Sequence, residues 1–198
     1  MADAAVSRIN SFRGISFEEP LGDQASFSIL PDAAKFVFRG RASSWPAVEF
    51  AFGVELPRLN RFSANGNRRI LCLGPDEWQL DAAEEDPADL WLELSEALGD
   101  QACSLVDVSH RSDGIEISGT MGEYVLNHGC PLDLSETEFP VGMCTRTVLG
   151  KTSIVLSRTE RTTFRLEVWR SFSMYVWKLL DDARQELYRS RDKCGAIR

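Results

Sequence analysis

Two histidines in 198 residues, His110 and His128, give this chain little material for proton transfer or metal binding. Cysteine is nearly as scarce. The five (Cys72, Cys103, Cys130, Cys144, Cys194) are scattered, odd in number and never form a C-x-x-C pair. That pattern fits reduced thiols rather than a disulfide framework or a zinc site. No apolar run approaches the roughly 18 residues that would span a bilayer. The opening residues, MADAAVSRINSFRG, lack the apolar core of a signal peptide, so a cytoplasmic chain without membrane contact is expected. The glycines spell neither G-x-G-x-x-G nor G-x-x-x-x-G-K-[ST], which removes the dinucleotide fingerprint and the P-loop. Gly150-Lys151-Thr152 alone is no phosphate loop, because no glycine stands five residues before Gly150. A basic surplus is missing too. The net charge of −8 argues against nucleic acid as the main partner, since phosphate contacts need a basic face.

What is present is an ordinary globular composition, 43% hydrophobic and 26% charged, long enough for one sizeable core or two small lobes sharing one. Residues 76–96 carry nine carboxylates and no basic residue, whereas the tail from Arg184 onward is basic on balance. A solvated acidic face explains the first, and steering of a protein partner is the alternative. Residues 1–45 are polar and turn-rich, and only Lys35–Arg39 reads as a strand.

From Ala47 the pattern sharpens. Val48, Phe50, Phe52, Val54 and Leu56 alternate with their neighbours, which predicts a strand ended by Pro57. Asn65-Gly66 predicts a type I′ turn into a strand at Arg69–Leu73, and Trp78–Leu80 a further short strand. Asp86 and Pro87 open a helix whose apolar positions are Leu90, Trp91, Leu94, Ala97 and Leu98, with Gly99 as its stop. Thr147–Leu156 reads as a long strand broken or bulged at Gly150, and Phe164, Leu166 and Val168 mark the next. Ser171 is placed to cap a last helix striped by Phe172, Val176, Leu179, Leu180, Ala183 and Leu187. Helices never alternate singly with strands. The predicted class is therefore α+β, a largely antiparallel sheet or sheets covered by helices, in a single domain over 1–198.

The stretch Asp107–Leu134 holds a whole unit. Val108 ends one strand and Ile115 and Ile117 mark a second. Thr120 and Glu123 spell a capping box, and Gly129 and Pro131 are a helix stop. D-x-S-H, a strand ending in S-G, and a helix closing in G-C-P-L-D-L resemble the gamma subunit family of heterotetrameric sarcosine oxidase. LGPDEW (73–78), FPVGMCTRTVLGK (139–151) and FRLEVWRSFSMYVWKLL (164–180) follow that family's order. The resemblance implies a fold similar to the folate-binding domain of aminomethyltransferases. It also implies a non-catalytic subunit of a complex that demethylates sarcosine oxidatively. FAD, FMN, NAD and tetrahydrofolate would then be held by the other subunits, with alpha, beta and delta as partners, chiefly alpha. A stand-alone folate-binding one-carbon protein is the alternative.

No catalytic, cofactor or metal residue stands out from the pattern. Asp107, Ser109 and His110 invite a triad reading but lack a nucleophile elbow, and His128 suits a helix end. One anomaly remains. Period two puts Trp169 beside Arg165 and Glu167, opposite the apolar face of Phe164, Leu166 and Val168. Tryptophan with arginine is the pairing enriched where interfaces concentrate their energy, so Trp169 and Arg165 are the candidate partner contacts.

Overall fold

The computed structural model of the chain describes residues 11–12 and 24–195. Its elements are β1 (Ser26–Ile29), β2 (Ala33–Gly40), α1 (Trp45–Phe52), β3 (Phe62–Asn65), β4 (Arg68–Gly74), β5 (Glu77–Ala83), α2 (Pro87–Leu98), β6 (Cys103–Asp107) and β7 (Ser112–Ser118). They continue with α3 (Gly122–Asn127), β8 (Cys144–Leu149), β9 (Thr152–Glu160), β10 (Thr163–Trp169) and α4 (Ser173–Gly195). The strands form two antiparallel five-stranded sheets, ordered β3-β4-β5-β2-β6 and β1-β7-β10-β9-β8. The α+β expectation holds, with two sheets.

Each sheet buries one face under helices. Phe36, Phe38, Ile70, Trp78 and Leu80 project from the first sheet onto Val48 and Phe52 of α1 and Leu90 and Leu94 of α2. Ile115, Ile117, Leu156, Phe164, Leu166 and Val168 project from the second onto Val125 and Leu126 of α3 and Val176 and Leu180 of α4. The two remaining sheet faces meet each other. The order of layers is helix, sheet, sheet, helix. Strict alternation then forces the second face of every central strand into the middle, and those faces carry Lys35, Arg69, Gln79, Asp81, Ser157 and Glu167.

Several expected elements differ. The stretch after Ala47 is not a strand but the end of α1, with Pro46 in its first turn and left-handed Gly53 (φ 68°) as its stop. Val48, Ala51 and Phe52 lie at i, i+3 and i+4 toward the core while Phe50 is 90% exposed. The segment contains so many apolar residues that both periods fit it. The strand over 147–156 is broken at Gly150 and not bulged: Gly150 at φ 58° reverses the chain, and β8 and β9 pair antiparallel. In the turn after Asn65 only Gly66 has positive φ (58°), which fits type II′ and not I′. The capping box does not form: Met121 stands at the cap position without a side-chain bond, and Glu123 turns to Arg158. Gly129 is not left-handed. It stays small because a Cβ would come within 3.0 Å of Gly150 N and 3.1 Å of Leu179. Within 1–45, β1 accompanies the expected strand around Lys35–Arg39, while residues 1–10 and 13–23 lie outside the described residues. Ser171 sits in a 3-10 turn (Arg170–Phe172), and Ser173, buried, donates to Asp113 at 2.6 Å as α4 begins.

Candidate functional site

Glu167, at the centre of β10, is 5% exposed and gathers the middle layer around itself. One carboxylate oxygen accepts from Lys35 Nζ (3.1 Å), Gln79 Nε2 (2.9 Å) and Ser112 Oγ (3.1 Å), and the other from Arg69 (3.4 Å). Arg69 also donates to Asp81 at 2.9 Å and to Ser157 at 3.4 Å. Two cations and two anions balance. Burial alone would raise the Glu167 carboxyl, but Lys35 and Arg69 outweigh it and hold it at about 2. Burial and the Glu167 charge push Asp81 the other way, above the usual carboxylate range. Lys35, which burial would lower, is raised by Glu167 and Asp81. Chemically this is a closed ion-pair network with its donors and acceptors occupied by one another.

The layer opens at both ends. One cleft, ≈ 270 Å³, is walled by Leu30, Pro31 and Ala83 and reaches Lys35, Arg69 and Arg165. The other, ≈ 220 Å³, lies among Arg111, Arg146, Val155 and Trp169. Arg165 and Trp169 thus flank Glu167 on one face, as period two predicts, but serve opposite clefts. Arg165 pairs with Glu116 at 2.8 Å. Trp169 is 57% exposed, covered by neither helix nor sheet.

The remaining sequence candidates are structural. Asp107 accepts directly from the Ser109 backbone and hydroxyl, Ser109 Oγ accepts the Lys35 N–H at 2.9 Å, and His110 is exposed. His128 Nδ1 donates to Tyr124 O, 3.0 Å away within its own helix. Burial pushes the Cys144 thiol up to about 12, which leaves it unreactive. Among the described residues no group of three or more His, Cys, Asp or Glu is placed to hold a metal ion.

Pattern reading of single strands misses the central cluster, yet a signal exists. Lys35 in AKFVF, Arg69 in RRIL, Asp81 in QLDA and Glu167 in RLEV each interrupt a strand whose other face is apolar. It misses Arg158 too, 1% exposed on the helix side of β9. Its guanidinium donates to the carbonyls of Leu134, Phe139 and Arg161, pairs with Glu123, and lies 4.7 Å over the Phe164 ring. One side chain thereby fixes the loop 133–143 to its sheet.

Comparison with known proteins gives this architecture its relatives. The sarcosine oxidase subunit gamma of Corynebacterium sp. (strain U-96) is 32% identical over 187 residues, covering 93% of this chain and 84% of that one. The Arthrobacter sp. subunit gamma is 36% identical over 142 residues, 71% of this chain and 69% of its own length. A solved chain of the heterotetrameric sarcosine oxidase from Corynebacterium sp. U-96, in complex with pyrrole 2-carboxylate, superposes with a TM-score of 0.77 at 29% identity. That match covers 84% of this chain and 87% of that one. Aminomethyltransferase T of Bartonella henselae shares the fold alone, with a TM-score of 0.61 at 12% identity over 79% of this chain and 45% of that one. The model of the sarcosine oxidase gamma subunit family matches residues 36–186, and the chain belongs to that family.

Proposed function

We propose that this chain is a non-catalytic, structural subunit of a heterotetrameric sarcosine oxidase. The complex would convert sarcosine to glycine, passing the electrons to oxygen as hydrogen peroxide and releasing the methyl carbon as formaldehyde or 5,10-methylenetetrahydrofolate. FAD, FMN, NAD and tetrahydrofolate would reside in the alpha, beta and delta subunits, with alpha as the main contact. The observation that carries the non-catalytic reading is Glu167. A carboxylate held at about 2 and bonded by Lys35, Gln79, Ser112 and Arg69 is a poor base at neutral pH. The clefts of ≈ 270 and ≈ 220 Å³ also fall below the ~300–1,000 Å³ usual for small-molecule sites.

Co-expression of the tagged chain with the other three subunits tests this. Equimolar recovery of all four, with sarcosine-dependent peroxide formation in that fraction and none from the chain alone, is expected. Micromolar binding of tetrahydrofolate to the isolated chain, with no other subunit recovered, would favour the folate-binding one-carbon protein instead.

A further inference from the structure

Where β10 finishes, the inner face of the second sheet carries exposed side chains. That face is here a row across four strands: Ser112 on β7 stands opposite Trp169 on β10, and Ser153 on β9 opposite Val148 on β8. Trp169 is 57% and Val148 43% exposed, so the row presents apolar surface to solvent on a face that elsewhere is shut by the first sheet. The Trp169 indole lines an open cleft of ≈ 220 Å³ and Val148 ends the row beside it; neither is a core left half built, because the apolar partners of β10 and β8 lie on the opposite face.

The charges around the row are unequal. Arg39, Arg111 and Arg146 all act on Glu77; Arg146 bonds it at 2.6 Å and Arg39 at 3.1 Å. Asp76 lies 3.5 Å from Arg39, and Glu167, which also lines the cleft, is already matched by Lys35 and Arg69. Three guanidinium groups therefore face two carboxylates. The surplus sits on Arg111, an exposed lining residue of the cleft whose guanidinium has no hydrogen-bond partner among the described residues. The Trp169 indole N–H has none either. Unused donors beside exposed apolar surface call for a partner that brings an acceptor of negative charge together with an apolar side chain.

We infer that this cleft docks a loop of another subunit of the complex, one that places a carboxylate against Arg111 and an apolar side chain against Trp169 and Val148. The inference rests on the subunit reading above and deepens it by naming the surface and the sign of its partner. Arg165, at the far cleft and already paired with Glu116, is not part of the surface.

The test titrates the chain against the remaining subunits purified as a subcomplex, at low and high salt. Trp169→Ala is expected to weaken assembly about 30-fold, the effect of losing a central aromatic anchor. Arg111→Glu is expected to weaken it about 10-fold or more at low salt and to flatten the salt dependence. Phe50→Ala, on α1 and 90% exposed, is the control and should match wild type. Three results overturn the inference while leaving the subunit reading intact. The first is wild-type affinity for both cleft variants. The second is a loss with Trp169→Ala alone, without any salt effect, which would mean an uncharged occupant. The third is a large fall in the thermal midpoint of the isolated Trp169→Ala chain, which would place the indole in the chain's own core. Failure of the wild-type chain to assemble at all overturns both.

Discussion

Glu167 shows how a buried ion cluster is costly to break and cheap to replace. Its desolvation is offset only while Lys35, Arg69, Gln79 and Ser112 all reach it. Glu167→Gln leaves two buried cations against one anion, and a loss of about 3–5 kcal/mol in urea unfolding is expected. Lys35→Met with Glu167→Leu leaves the Arg69–Asp81 pair neutral, and this double variant should recover most of that loss. The pH dependence follows from the same geometry. The folded Glu167 carboxyl titrates near 2, below its ordinary 4.5, so its stabilisation is fully present above 4.5 and is lost as pH falls from 4.5 through about 2. Asp81, raised when folded, has the opposite sign and favours the fold as pH falls toward its ordinary range. Acid unfolding of the wild type should therefore steepen below pH 4.5, and the double variant should lack Glu167's share of that slope. Arg158 is a second such residue. Arg158→Met strands the buried carbonyls of Leu134 and Phe139 and the partly buried one of Arg161, and should cost about 3 kcal/mol or more, with faster amide exchange confined at first to 134–143.

At the scale of elements, the caps decide which termini matter. Asp86 accepts from the N–H groups of Ala88 and Asp89 at the start of α2, so Asp86→Ala should lower stability by about 1 kcal/mol. Thr120 makes no such bond, and Thr120→Ala should change the thermal midpoint little. Gly150 combines a φ of 58° with the Tyr175 hydroxyl standing where a Cβ would go, so Gly150→Val should cost more than Gly129→Ala. These contrasts mark what the sequence made legible. Helix α2 could be read from both ends because Asp86, Pro87 and Gly99 act locally. Helix α1 could not, because in Trp45–Phe52 almost every residue is apolar and only packing selects the face. The capping box at Thr120 lost to a long-range competitor, Arg158, 35 residues from Glu123. The alternation of β10 was plain in the sequence. That its polar face would meet a second sheet was not, since the partners Lys35, Arg69 and Asp81 come from strands 86 to 132 residues earlier.

The whole molecule is two helix-covered sheets closed on a charged layer, and the family it belongs to is named for an oxidase. The division of labour proposed above makes the layer a scaffold and leaves the chemistry to other subunits. Purified alone, the chain should then be colourless, and a flavin absorption band that returns after unfolding and refolding with added cofactor would contradict it. Among the described residues no helix is long and apolar enough to cross a membrane. The central claim, that the charged layer holds the fold and does no chemistry, is tested most directly in the assembled complex. Lys35→Met with Glu167→Leu is built into this chain, the four-subunit complex is purified, and sarcosine turnover is measured per assembled complex. Wild-type kcat and KM are the expected result. A fall in kcat of tenfold or more with all four subunits present in equal amounts would make the layer part of the catalytic machinery and contradict the claim.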